Sequence, residues 1–256
     1  MSNYNTETYE INPQFKYSIA DNSTLARLKQ VADINIGSGT SEFHNAEAIV
    51  GYVHQLFAHD GDNEPSTADP LTILNEAKAG QSFRCVEYSI LAVGLLWAYR
   101  IPARTIALKT SDVETRKYGA GHVVIEFWSV DYDKWAMCDV QAGIIPTYDK
   151  IPVSAYELAS YLQSNEDVIF SPIKHSRFKQ NARYGDKESY KEWIKEYLCF
   201  IDTPLDLTLD NGDRRKQQIV MLVPNDKKYP KSFQGLFDMN ALYTHSVKDF
   251  YPVIQM

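Results

Sequence analysis

From Cys85 to about Arg100 the chain reads CVEYSILAVGLLWAYR, with no proline and Gly94 as its single glycine. Val86, Ile90, Val93 and Trp97 lie at helical spacing, and so do Leu91, Leu95 and Ala98. Apolar residues thus cover more than one face. A helix apolar on most sides is usually central and buried. Pro102 ends it. The fold must therefore wrap around this helix. With 256 residues and 44% hydrophobic composition the chain can bury such a core without staples.

The neighbouring segments supply the wrapping. Asp21-Asn22-Ser23-Thr24 offers N-cap residues before Leu25, Leu28, Val31 and Ala32, which predicts a short amphipathic helix. A second helix is expected from about Glu42 to Ala58, with Ala46, Ile49, Val50, Val53, Leu56 and Phe57 on one face. Pro70 suits the first turn of a third, and Gly80 its C-terminal end. The period then changes. Arg104–Lys109, Val123–Trp128 and Trp135–Val140 alternate as strands, with Asp131-Tyr132-Asp133 as a turn. Helices followed by antiparallel strands indicate an α+β fold.

After Pro146 the expectations are a helix at Val153–Leu162, mostly loop over 163–187, and a helix from Tyr190 to Ile201. That last helix carries Trp193, Ile194, Tyr197, Leu198 and Ile201 as its stripe. Leu205–Leu209 and Gln218–Val223, flanking Asp210-Asn211-Gly212-Asp213, read as a hairpin. Residues 1–150 are thus expected to form a core with an N-terminal arm. Residues 151–256 are read as an extension packed on it.

Composition narrows the function. Asp and Glu outnumber Lys and Arg by 33 to 26, for a net charge of -7, which disfavours nucleic acid and anionic membranes as partners. The longest apolar stretch, Ile90–Tyr99, is far shorter than a membrane span, and the N-terminus has no signal-peptide pattern. A cytoplasmic protein is the expectation. Three cysteines cannot all pair within the chain, and free thiols suit that compartment.

Cys85 stands at the start of the strongest helix, after Arg84. The helix dipole and a neighbouring positive charge both favour a thiolate. A buried structural cysteine is the competing reading. His122 opens a strand after small residues, and Asp139 closes the next. An even-length turn centred between Val130 and Asp131 would set His122 opposite Asp139, Val124 opposite Met137 and Glu126 opposite Trp135. The carboxylate could then orient the imidazole. Asp133 is the competing carboxylate, expected to be solvated at the turn. A thiol, an imidazole and a carboxylate are the parts of a nucleophile, a general base and its orienter.

At this point the sequence resembles the transglutaminase-like superfamily. Phe83-Arg84-Cys85-Val86-Glu87-Tyr88 followed by Arg100-Ile101-Pro102-Ala103-Arg104 is similar to its nucleophile helix. Gly121-His122-Val123-Val124-Ile125-Glu126 resembles its histidine strand, and Lys134-Trp135-Ala136-Met137-Cys138-Asp139 its Trp–Asp motif. The resemblance covers about residues 40–150. It implies a papain-like core, with the nucleophile helix packed on an antiparallel sheet and Cys85, His122 and Asp139 as a catalytic triad. It also implies acyl-thioester chemistry on an amide of a peptide or protein, with no cofactor. The backbone N–H of Cys85 would contribute to an oxyanion hole, with Gln81 a candidate side-chain donor. Arg100 departs from the family's usual Gly, and Gln141 from its Pro–Thr pair.

The other candidates are weaker. Cys138 and Cys199 read as packed thiols. The spacings show no CxxC or HxxxH, so no metal site is expected, and His44, His54 and His59 are scattered. Two alternatives to an enzyme remain at this level. One is a peptide- or protein-binding module that keeps the fold. The other is a thiol redox protein, disfavoured by the lack of a nearby paired cysteine.

Overall fold

The computed structural model describes residues 4–16, 23–37, 40–174, 176, 185–207 and 217–251. Four helices come first: α1 (Ser23–Ala32), α2 (Glu42–Leu56), α3 (Pro70–Lys78) and α4 (Cys85–Ala98). α4 is the central one, as its composition requires. Leu91, Ala92, Val93, Leu95, Leu96 and Trp97 are all buried, and α1, α2 and α3 pack against it. Gly94 is where the packing is closest. A Cβ there would lie 2.7 Å from Pro70 Cβ and 3.2 Å from Leu28 Cδ2. The glycine lets α3 and α1 approach the helix.

α3 starts as its residues predict. Asp69 accepts from the N–H groups of Leu71 and Thr72, with Pro70 in the first turn. α4 ends in a Schellman motif. Ile101 N–H donates to Leu96 O and Arg100 N–H to Trp97 O, both at 2.9 Å. That motif requires a left-handed residue, and Arg100 takes φ 67°. The expected departure from Gly at this position therefore has a physical cost. Arg100→Gly is expected to stabilise the protein by about 0.5–1 kcal/mol in urea unfolding, because it removes Cβ strain. An unchanged or lower midpoint would count against it.

Eleven strands are seen among the described residues: β1 (Ala103–Lys109), β2 (Gly121–Ser129), β3 (Lys134–Cys138), β4 (Ile144–Tyr148), β5 (Ile151–Pro152), β6 (Ile169–Pro172), β7 (Phe200–Pro204), β8 (Ile219–Leu222), β9 (Ser232–Phe233), β10 (Phe237–Asp238) and β11 (Ala241–Thr244). Helices α5 (Ala155–Gln163), α6 (Lys187–Lys195) and α7 (Val247–Phe250) complete the set. The main sheet has the order β11-β8-β7-β1-β2-β3. It is antiparallel except for the parallel pair β8–β11. β4 pairs with β5 and β6 in a small sheet, and β9 with β10. The fold is α+β, with α4 packed on β1 and β2. Three of the six strands in the main sheet follow residue 150, so the sheet runs across that boundary.

Three local expectations are corrected. The β2–β3 hairpin pairs Glu126 with Met137 and Trp128 with Trp135, a shift of two residues from the expected register. Its connection is Val130–Asp133, with Asp133 exposed at φ 51°. The shift keeps the same face pattern, because side-chain alternation has a period of two. Second, α6 stops at Lys195. The segment that follows becomes β7, which pairs with β1 at Ala107–Asp202 and Leu108–Ile201. Without β7 that edge of β1 would be unpaired, so sheet pairing overrides helical spacing. Cys199 thus lies between α6 and β7 and is only partly buried. Third, the late hairpin has β7 and β8 as its arms, with Ile201 opposite Leu222 and Pro204 opposite Ile219. The residues read as its turn, 210–213, lie outside the described residues, as do Leu209, Asp21 and Asn22.

One buried ion pair ties the segments together. Arg104 and Glu126 face each other across β1 and β2. Both are fully buried. Arg104 donates to Glu126 Oε2 from Nε at 3.1 Å and from a terminal nitrogen at 2.8 Å. Its other terminal nitrogen donates to Phe250 O at 2.8 Å. Glu126 Oε1 accepts from Ala155 N–H and from Tyr251 Oη–H, each at 2.8 Å. The guanidinium also lies 4.4 Å from the Trp135 ring and 4.8 Å from that of Phe250. These two residues are the last letters of two motifs noted in the sequence. Here they join the sheet to α5 and α7.

Candidate active site

The site forms where β3 leaves β2. Their pairing stops at Ile125–Cys138, three residues short of His122. The backbone groups of Val123 that β3 would have used are taken by α4 instead. Val123 N–H donates to the Cys85 sulfur, and Val123 O accepts from Ser89 Oγ at 3.1 Å. Ser89 Oγ also lies 3.0 Å from Cys85 O, one turn back in the helix, so it can serve either carbonyl. The first turn of α4 is thereby seated against the strand that carries His122. Cys85 is partly exposed there.

After β3 the chain turns sharply. Asp139 N–H donates to Ile144 O at 2.9 Å, and Gly143 N–H to Asp139 O at 2.8 Å with Gly143 at φ 67°. This turn directs the Asp139 side chain inward. Its Oδ2 lies 2.7 Å from His122 Nε2, and its Oδ1 accepts from Ala142 N–H at 2.9 Å. In the observed register Asp139 is the diagonal neighbour of His122 on the same face, within reach of both side chains. The imidazole also hydrogen-bonds the Cys85 thiol. With Nε2 held by Asp139, Nδ1 is the nitrogen left for the sulfur. Cys85, His122 and Asp139 therefore form one connected chain. His122 is 4% exposed and Asp139 is fully buried.

The electrostatics follow from these contacts. Burial works against a charged Cys85, but the His122 hydrogen bond, its positive charge and the Val123 N–H together bring the thiol below its ordinary value. Burial likewise opposes an imidazolium, yet the Asp139 carboxylate and the thiolate hold the His122 value well up. The Asp139 carboxyl, despite its burial, is held down by His122, by Ala142 N–H and by Tyr190. All three shifts run in the direction that favours a thiolate–imidazolium pair backed by a carboxylate.

Arg84 plays a different part from the one expected. Its guanidinium donates to both carboxylate oxygens of Glu87, at 2.7 and 3.1 Å, and also pairs with Glu64. The positive charge is spent on two acids rather than on the thiol. Glu87 Oε2 also accepts from Arg84 N–H at 3.1 Å, which closes the start of α4. Glu64 belongs to the loop between α2 and α3, which lies beside the nucleophile segment. Asp60 N–H donates to Phe83 O at 2.8 Å, and Asn63 Nδ2 to Ser82 O at 2.8 Å.

The other two cysteines separate from Cys85. Burial pushes the Cys138 thiol well up, and Cys138 is fully buried. Burial lifts Cys199 to about 11. His54 is buried with Nδ1 2.9 Å from Val140 O, which braces the segment after Asp139. Gln81 is exposed. Among the described residues no three His, Cys, Asp or Glu side chains converge as metal ligands, and no helix is long and apolar enough to cross a membrane.

Sequence spacing missed the aromatic cover on this site. The Trp193 ring centroid is 4.8 Å from that of His122, edge to face, and Tyr197 is 6.1 Å away. Tyr190 Oη–H donates to Asp139 Oδ2 at 3.0 Å. All three belong to α6 or its end. The visible signal was their helical spacing, but nothing in a one-dimensional pattern links them to His122. The β9–β10 pair also reaches this region. Phe233 of β9 covers Gly121, where a Cβ would approach its ring to 3.0 Å, and Gln234 N–H donates to Val113 O at 2.7 Å.

Residues 29–140 match the family model described as the transglutaminase-like superfamily. A structure from Cytophaga hutchinsonii, provisionally named a cysteine protease, is 15% identical with a TM-score of 0.37, over 50% of this chain and 46% of that one. A structure named a TGase is 20% identical with a TM-score of 0.32, over 52% of this chain and 34% of that one. This chain thus matches less than half the length of either. No curated protein matches the sequence.

Proposed function

We propose that the protein, whose residues 29–140 match the transglutaminase-like superfamily, is a cysteine-dependent amide hydrolase or acyltransferase acting on a peptide or protein. The observation that supports it most is the continuous hydrogen-bonded chain from Cys85 through His122 to buried Asp139. In this reading Cys85 is the nucleophile, His122 the general acid and base, and Asp139 its orienter.

The thiolate attacks the amide carbonyl carbon, forming a C–S bond and an oxyanion. Backbone N–H groups in the first turn of α4, Cys85 among them, lack partners within the helix and can donate to that oxygen. The His122 imidazolium gives its proton to the leaving nitrogen as the C–N bond breaks. A thioester on Cys85 and a free amine result. Neutral His122 then takes a proton from water or a second amine, which attacks the thioester. The C–S bond breaks and the thiolate–imidazolium pair returns. Asp139 keeps the imidazole in the tautomer and orientation both steps need.

The test is competition among the three thiols. With iodoacetamide at pH 6.5, peptide mass spectrometry is expected to find Cys85 alkylated at least about 100-fold faster than Cys138 or Cys199, because only its thiolate is favoured. Equal rates, or an inert Cys85 in the folded protein, would sink the enzyme reading and leave a binding module. A thioester mass on Cys85 after incubation with a peptide amide library would identify the acyl group.

A further inference from the structure

We propose that Tyr190, from the segment after residue 150, is a positioning residue of the site, its hydroxyl clamping the Asp139 carboxylate in the orientation that serves His122. The proposal rests on the thiolate–imidazolium reading above. A carboxylate on a two-carbon side chain rotates about its last bond, and a general base is oriented only if that rotation is stopped. Asp139 is held at both oxygens. Ala142 N–H donates to Oδ1 at 2.9 Å, and Tyr190 Oη–H to Oδ2 at 3.0 Å, the oxygen that also meets His122 Nε2 at 2.7 Å.

With His122 alone on Oδ2, the rest of that buried oxygen's accepting capacity would go unfilled, since Asp139 has no access to water. The tyrosine is equally fixed. It is 1% exposed, and its ring packs 5.3 Å from Phe170 and 5.7 Å from Trp193. The titratable groups that meet Asp139 are His122 from β2, Cys85 from α4 and Tyr190 from α6, with Cys138 beside it in the chain. Tyr190 is the one among them contributed by the extension. In this view the extension completes the catalytic geometry as well as covering it.

Tyr190→Phe removes one oxygen and keeps the ring contacts, so the fold is retained. Two readouts are taken. The first is the proton resonance of His122 Nε2–H, which needs no catalysis. It is expected to move upfield and exchange faster with solvent in Y190F, since the carboxylate it bonds is no longer held. The second is the pH profile of Cys85 alkylation, whose acidic limb is expected to move up by about 0.5–1 unit as the imidazolium loses support. Phe170→Leu is the control. It loosens the same packing and leaves the hydroxyl, so it should lower the melting temperature while leaving both readouts in place. An unchanged His122 resonance in Y190F overturns the proposal, as does an equal change in F170L. If wild-type Cys85 proves inert, the functional reading fails, but the resonance still decides whether Tyr190 positions Asp139.

Discussion

Asp139→Asn is expected to reduce acyl transfer by on the order of 10²–10⁴-fold without unfolding the protein. The same exchange in a Ser–His–Asp hydrolase costs about 10⁴, through the wrong imidazole tautomer. Here the charge matters too. Asp139 is the largest factor raising the His122 value against its burial. Removing it favours neutral imidazole, and the pair then rests as thiol and imidazole. The direct effect on Cys85 has the opposite sign, since a nearby carboxylate disfavours a thiolate. His122 is the stronger influence on the sulfur, however, so the net shift is upward.

The sign can be read from a pH profile. In the wild type, alkylation of Cys85 is expected to persist below the usual thiol range near 8.5 and to fall only as acid protonates the pair. Acyl transfer, which also needs the imidazolium as acid, is expected to fall again at alkaline pH as His122 loses its proton. In Asp139→Asn the acidic limb of alkylation should move up and the alkaline limb of transfer should move down, narrowing the active window. A variant whose two limbs stay in place would remove Asp139 from the mechanism.

Arg104→Met is expected to cost about 3–5 kcal/mol of stability, because it leaves a buried carboxylate without its counter-charge. Total stabilities are commonly about 5–15 kcal/mol, so this is a large share. The loss has three parts visible in the structure: the two donors to Glu126, the bond to Phe250 O, and the ring contacts with Trp135, Phe250 and Tyr251. Urea unfolding measures it. The double variant Arg104→Met with Glu126→Leu should recover part of the loss, since an apolar pair removes the stranded charge. Two stranded donors, Ala155 N–H and Tyr251 Oη–H, keep that recovery incomplete. If Arg104→Met unfolds at the wild-type midpoint, the pair is structurally idle and the account is wrong.

These two predictions draw on residues that the sequence exposes to different degrees. Cys85 was legible because helix start, thiol and apolar run are all local. His122 and Asp139 were legible as partners because period-two alternation puts them on one face, and that parity survived a register that was off by two residues. The register itself was not legible. It depends on a four-residue connection, Val130–Asp133, with Asp133 in a left-handed conformation. The charge expected from Arg84 failed because its partners, Glu87 and Glu64, come from the next helical turn and from a loop 20 residues away.

What the sequence alone determined is the central helix, its thiol, the change from helical to strand period and the kinds of group available for chemistry. These follow from near-neighbour spacing, which dihedral periodicity converts directly into shared faces. What only the tertiary structure decided is how β3 parts from β2 so that Cys85 meets His122. It also decided that the segment after residue 150 supplies half of the sheet and the Tyr190 hydroxyl at Asp139. Pairings of such separation depend on which unsatisfied backbone edge or buried oxygen is available in the folded core, and a linear spacing carries no record of that.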